Sequence, residues 1–277
     1  MELYVEECGR RDAPTIVFLH GGGGASWMWQ PQIDRLADYH CLAPDLPGHG
    51  KSAALFPWNI PGAAELVANL IRRRASGGKA HVVGLSLGAQ VAAALLSSAP
   101  EVVDHAILSS ALLRPLPMAW MYSPAIIKFL FATSVAPFKN SRWWARVNMK
   151  YSAAIPDEFF PQFFEDYQSL TGEQFARVID ENQKFRLPPN LERVNSPVLV
   201  VVGHGEYKAM HLSACDLVAA IPGARGVEVT RLEKLSVAAE HNWSMTAPEL
   251  FTNMVRAWIS GSALPRALQP LPGCENS

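Results

Sequence analysis

Two kinds of periodicity alternate along the chain. Short apolar, β-branched runs at Leu3 to Glu7, Thr15 to Leu19, Tyr39 to Pro44, Ala80 to Ser86, His105 to Ser110, Val198 to Gly203 and Val227 to Leu232 predict strands. Between them, Trp29 to Ala37, Pro61 to Ala75, Ala89 to Ser98, Ala209 to Ile221 and Pro248 to Ile259 carry apolar residues at helical spacing. A strand that is apolar on successive residues must be covered on both faces. The alternation therefore predicts an α/β fold, a mostly parallel central sheet with helices on either side. On such sheets ligands sit at the carboxyl ends of the strands.

The alternation breaks between about Leu112 and Leu191, where rings such as Trp120, Phe131, Trp143, Trp144, Phe163 and Tyr167 accumulate. This block reads as a helical cap, inserted after the His105 to Ser110 strand, that faces the carboxyl edge and roofs an apolar pocket. More than half of its rings are expected to hold the cap itself together. The domain reading is a core of residues 1–111 and 192–261 and a cap of 112–191. Residues 262–277, with Pro265, Pro270, Pro272 and Gly273, have no periodicity and read as a disordered tail.

Two glycine motifs fall at the expected carboxyl edge. Gly84-Leu85-Ser86-Leu87-Gly88 stands between an apolar strand and a small-residue helix, the setting of a nucleophile elbow. The serine of such a turn is held above the sheet, and a Cβ two residues to either side would strike neighbouring backbone. The first helical N–H, that of Leu87, is left free to bind an oxyanion. Upstream, the strand Thr15 to Leu19 runs into His20-Gly21-Gly22-Gly23-Gly24. Four successive glycines are read here as a backbone brought close to a ligand, and not as a packing requirement.

A serine hydroxyl needs a base, and the base an orienting acid. In the chain order Ser, acid, His, the base must lie late in the sequence. His241, in a predicted loop after the last strand and before the last helix, fits better than His211, which lies in a helical pattern. The acid should follow the strand Val198 to Gly203, where Glu206 is the candidate. Asp180 and Asp216 compete with it. Asp104 lies at the wrong end of its strand, and Glu240 is expected to point away if His241 points in. The other usual acid position, just after the His105 to Ser110 strand, offers only Ser109 and Ser110. The remaining histidines, His20, His49, His81, His105 and His204, are read as structural.

Composition narrows the partners. With 24 Lys and Arg against 25 Asp and Glu the formal net charge is −1, which argues against nucleic acid or a charged membrane surface as the main partner. The amino-terminal residues lack the zones of a signal peptide, and the apolar stretch Ala111 to Phe138 is broken by Arg114, Lys128 and prolines. A soluble, cytoplasmic protein without a membrane span is expected. Cys8, Cys41, Cys215 and Cys274 show no metal-ligand spacing and are read as free thiols. No metal and no cofactor are called for.

At this point the chain resembles the α/β-hydrolase superfamily, from Leu3 to Ile259. The resemblance rests on His20-Gly21-Gly22, the segment Asp45-Leu46-Pro47-Gly48-His49-Gly50-Lys51-Ser52, Gly84 to Gly88, Gly203 to Glu206, and His241 followed by Pro248-Glu249. It implies the α/β-hydrolase fold, Ser86 as nucleophile, His241 as base, Glu206 as acid, and the amides of Gly22 and Leu87 as oxyanion hole. The Asp45 to Ser52 loop is structural by the same resemblance. Glutamate at the acid position departs from the commoner aspartate. The activity implied is hydrolysis of a carboxylic ester with an apolar moiety. Carbon–carbon or thioester hydrolysis, perhydrolysis, and a ligand receptor of the same fold are the alternatives.

Overall fold

The computed structural model describes residues 2–230 and 236–274. Eight strands form one sheet: β1 (Val5–Cys8), β2 (Thr15–Leu19), β3 (His40–Pro44), β4 (Ala80–Leu85), β5 (Val103–Ser109), β6 (Val198–Gly203), β7 (Arg225–Val229) and β8 (Leu268–Pro270). Their spatial order is β1-β3-β2-β4-β5-β6-β7-β8, parallel throughout except for β1 and β8 at the two edges. Strand positions follow the sequence reading closely, and residues 231–232 of the expected last strand lie outside the described residues.

The principal helices are α1 (Ile60–Arg74), α2 (Leu87–Ser98), α3 (Pro124–Leu130), α4 (Arg142–Asn148), α5 (Phe160–Ser169), α6 (Gly172–Lys184), α7 (Lys208–Ala220), α8 (Val237–His241) and α9 (Pro248–Ser260). Successive residues of β2 supply opposite faces. Val17 and Leu19 join a core with α1, α2 and α7, whereas Ile16 and Phe18 pack with Trp29, Trp243, Phe251 and Met254 on the other side. This two-sided burial explains why the central strands are unbroken apolar runs. Helix α2 is buried over ten of its twelve residues. Its alanines and Gly88 let it lie against the sheet almost without side-chain spacing.

Three expectations are corrected. The helix expected over Trp29 to Ala37 is a 3-10 turn, Ser26–Trp29, and one α turn, Gln30–Ile33, followed by tight turns from Gln32 to Arg35 and Ile33 to Leu36 that seat Ile33 and Leu36 in the core. The disordered tail is ordered over 262–274: β8 pairs antiparallel with β7, and the Leu271 N–H donates to the Gly226 carbonyl. It covers the edge that β7 would otherwise leave unpaired; residues 275–277 lie outside the described residues. Cys215 and Cys274 form a disulfide between α7 and this tail, and only Cys8 and Cys41 are free thiols.

Between β5 and β6 lies a helical insert holding α3 to α6. It is tied to the core by named polar contacts. Gln90 of α2 donates to the Leu112 and Asn182 carbonyls, Glu181 accepts the Ile60 N–H at the start of α1, and Asp166 accepts the Trp27 indole N–H at 2.7 Å. The Trp27 ring stacks on Phe159, with centroids 6.0 Å apart. Phe131, Phe159, Phe160 and Tyr167 are buried, whereas Trp120, Phe129 and Trp143 are exposed. Among the described residues no helix is long and apolar enough to cross a membrane.

Candidate active site

Ser86 sits between β4 and α2 with φ 55° and ψ −114°. A non-glycine residue there carries roughly 1–3 kcal/mol of backbone strain, which persists only where the surroundings over-determine it. They do so here. The Ser86 N–H donates to the Ser109 carbonyl of β5, and the Ser86 carbonyl accepts the N–H groups of Ala89 and Gln90. A Cβ on Gly88 would lie 2.0 Å from the Leu19 carbonyl oxygen, and one on Gly84 would lie 2.4 Å from that of Gly88. Both glycines of the motif are therefore required by backbone contact, as the sequence suggested.

The glycine loop after β2 is only partly as expected. Gly23 adopts φ +78°, but Cβ atoms on Gly24 and Gly22 would strike the Met28 sulfur at 2.0 Å and Val178 at 2.8 Å. Two of the four glycines thus have packing reasons, contrary to the reading that packing plays no part. Gly22 also lies against Leu87, within 3.9 Å of its Cβ measured from an added Cβ. Among the described residues neither the Gly22 nor the Leu87 N–H has a hydrogen-bond partner. His20 fixes the loop from behind: its Nδ1–H donates to the Gly21 carbonyl at 2.8 Å, and its Nε2 accepts the Leu46 N–H at 2.9 Å. Complete burial lowers its pKa to about 4, so it performs this linking as a neutral ring. The Asp45 to Ser52 loop is structural, with Asp45 accepting the Ser26 and Lys51 N–H groups and Ser52 accepting that of Tyr4.

Glu206 and His241 meet. His241 Nδ1 lies 2.5 Å from Glu206 Oε1, and Glu206 Oε2 accepts the Ser110 hydroxyl and the Gly203 N–H, each at 2.9 Å. Burial alone would raise the Glu206 carboxyl. The hydrogen bond and charge of His241, with Gly203 and Ser110, outweigh it and hold the pKa below the ordinary carboxylate value. An ionised carboxylate only accepts, so Nδ1 carries the proton of the neutral ring and Nε2 keeps its lone pair. His241 ends the short helix α8 and does not lie in a loop. The segment after it is pinned to the end of β5 by the Trp243 indole donating to Ser109 Oγ, and to the insert by Asn242 donating to the Ala153 carbonyl.

Ser86 and His241 line one cavity of about 150 Å³ together with Gly21, Gly22, Met28 and Phe163. A second cavity of about 330 Å³ shares Gly22, Gly23, Gly24 and Phe163 with it and extends under the insert, past Phe131, Val135, Leu170 and Phe175. His49, Asp166 and Tyr167 are polar residues in that apolar wall. Burial above all, with His20 second, pushes His49 down to about 3, and its Nδ1–H donates to the Pro47 carbonyl. Its Nε2 is thus an acceptor, and neither it nor the Tyr167 hydroxyl has a partner.

The competing acids lie elsewhere. Asp180 pairs with Lys184 on α6, Asp216 with Arg114 at the surface, and Asp104 with His81 and His105 at the opposite sheet edge. His211 faces Glu228. One residue near the site, Asp166, was not singled out by the sequence. Ser110, considered only as a place for an acid, donates to Glu206, and Glu240, expected to point away, accepts the Gly205 N–H and so braces the turn that carries Glu206.

Comparison with known proteins places the chain by family and fold. The model of a family described as "Alpha/beta hydrolase family" matches residues 16–253. The chain belongs to the alpha/beta hydrolase family. Among its relatives is an AB hydrolase superfamily protein of Gibberella zeae, 26% identical over 266 residues, covering 93% of this chain and 84% of the relative. A pimeloyl-[acyl-carrier protein] methyl ester esterase of Methylococcus capsulatus is 36% identical over 104 residues, 37% of this chain and 38% of the relative. The structure of a thermophilic esterase from Thermogutta terrifontis superposes with a TM-score of 0.71 at 20% identity, over 94% of this chain and 93% of the other, a likeness of fold.

Proposed function

We propose that this protein is a serine hydrolase acting on a carboxylic ester with an apolar moiety. Ser86 Oγ attacks the ester carbonyl, and its proton passes to His241 Nε2. The resulting tetrahedral oxyanion is held by the amides of Gly22 and Leu87, the latter at the positive end of α2. Collapse breaks the bond to the alcohol, which leaves with the proton from His241, and a water molecule deprotonated by the same histidine releases the acid. Glu206 orients His241 and stabilises the imidazolium. The insert, residues 112–191, serves as the cap, and its cavity takes the apolar part of the substrate. No cofactor is needed by this chemistry.

The observation that carries the reading is the strained Ser86 facing the same small cavity as a histidine whose other nitrogen is bound to a buried carboxylate. Membership of the family and the esterase named among the relatives support the ester as the bond. The test is labelling by a fluorophosphonate combined with turnover of p-nitrophenyl esters. Stoichiometric labelling of Ser86 with sustained release of nitrophenol, both lost in Ser86→Ala, supports the hydrolase. Labelling without turnover across acyl chain lengths would favour a receptor.

A further inference from the structure

The edge of the sheet opposite Ser86 carries a cluster that the hydrolytic site does not use. In the pairing of β4 with β5, Ala80 lies opposite Val103 but Val82 lies opposite Ala106, so the single residue His81 faces two, Asp104 and His105. A bulge of this kind interrupts the alternation of side chains and re-aims them. Here it gathers three donors. Asp104 Oδ1 receives a hydrogen bond from His105 Nδ1 and lies 3.3 Å from His81 Nδ1, and one ligand atom from each residue falls within 4.8 Å of the other two. The imidazoles meet edge to face with centroids 5.2 Å apart.

We propose that His81, Asp104 and His105 form a binding site for a divalent transition-metal ion, zinc being the best match. Two imidazole nitrogens and a carboxylate oxygen are the ligand types zinc takes at roughly 2.0–2.2 Å, and a tetrahedral set at that distance has its ligands about 3.3–3.5 Å apart. The His81–Asp104 separation already has this value. The shorter Asp104–His105 contact opens as the ion replaces the proton shared there. His81 Nδ1 supplies an independent sign: it is buried yet has no hydrogen-bond partner, because the nearby carboxylate lies out of line with it. A metal in the plane of the ring would satisfy that nitrogen. Asp104 and His105 also line a cleft of about 500 Å³ with Lys79 and Ser196, through which the ion enters and water completes its coordination. No thiol joins the set, which sets it apart from a closed structural zinc site. Five residues of strand, about 16 Å, separate it from Ser86, so the ion takes no part in the hydrolytic chemistry.

The test uses the full chain stripped with a chelator, titrated with zinc chloride by calorimetry and with cobalt(II) by visible absorption. One equivalent should bind, with d–d bands of a tetrahedral or five-coordinate site, and zinc should raise the thermal midpoint. His105→Ala and Asp104→Asn should each weaken binding tenfold or more while esterase activity is retained. Asp104→Asn, at a half-exposed position, covers the case in which a histidine variant fails to fold. Absence of saturable binding overturns the proposal. So does binding of unchanged affinity in both variants, which would place the ion elsewhere, for instance at His204, His211 and Glu228.

Discussion

Replacing Glu206 by glutamine tests the hydrolytic reading most sharply, because the structure dictates which way the amide must turn. The carboxylate accepts three hydrogen bonds, from His241 Nδ1 on one oxygen and from Ser110 and Gly203 on the other. A glutamine has one acceptor and one donor end. If its NH₂ faced Gly203, two backbone and side-chain donors would meet in a buried place, at a cost of about 1–3 kcal/mol that the fixed Gly203 N–H cannot escape. Turned the other way, the NH₂ faces His241, which answers by moving its proton from Nδ1 to Nε2. The second choice costs less and disables the base, since Nε2 then has no lone pair to take the Ser86 proton. Loss of the charge and of the tautomer in an analogous triad lowers turnover about 10⁴-fold, or about 5 kcal/mol of transition-state stabilisation. Glu206→Gln should therefore show that drop in kcat with p-nitrophenyl esters, a KM within a fewfold of the parent, and unchanged fluorescence and far-UV circular dichroism. Glu206→Asp keeps the charge but is one methylene shorter, and should lose roughly 10- to 100-fold because it cannot keep both ends of the network. A glutamine variant retaining a tenth of the parental kcat would refute the assignment of Glu206.

Other consequences follow from the same geometry. Gly88→Ala should fail to give a stable protein, or lower the thermal midpoint by 10 °C or more, because its Cβ would lie 2.0 Å from the Leu19 carbonyl oxygen; a fully stable variant would contradict the elbow packing. Burial raises the Asp166 carboxyl from 3.8 to about 6 against the opposing hydrogen bond from Trp27, so the folded state binds its proton more tightly than the unfolded state does. Stability from this group is present below pH 3.8 and is lost as pH rises through about 6. Asp166→Asn should accordingly gain on the parent in thermal midpoint between pH 5 and about 7, by an amount worth up to a few kcal/mol, and a gap that does not grow with pH would refute it.

The fold was legible wherever burial is two-sided. β2, β4 and β6 are runs of five or six residues in which every position but Thr15 and His81 is apolar or glycine, and such runs have few readings other than central parallel strands. The edges were less legible for the same reason. β8 is three residues long and half-polar, carries Pro270 at its end, and exists because β7 would otherwise leave a row of unpaired backbone groups. Its partner lies about forty residues back, and no local pattern announces it. The Cys215–Cys274 disulfide depends on that pairing, since only the docked tail brings Cys274 to α7.

The candidates Ser86, Glu206 and His241 could be picked out because each stands at the end of a recognisable element and chain order leaves few choices; the structure brings Glu206 to His241 and sets Ser86 and His241 on one cavity. The residues that hold them could not be found in that way. Ser110 was weighed as a place where an acid might stand and set aside for lacking a carboxylate. Its hydroxyl donates to Glu206, the candidate acid just past the end of β6, a contact created by the register of β5 with β6 between residues 96 positions apart in the sequence. Glu240 shows the opposite failure, a local rule applied with the wrong period. Adjacent side chains point to opposite sides only in a strand, whereas residues 240 and 241 belong to helix α8, where neighbours diverge by about 100°. Both therefore reach the same turn after β6: His241 takes the carboxylate of Glu206, and Glu240 takes the amide of Gly205 one residue before it. Glu206 and His241, the proposed acid and base, thus meet at a turn that Glu240 braces from the same helical turn as His241, so a substitution at Glu240 should disturb the orientation of Glu206 without touching any group proposed to meet the substrate.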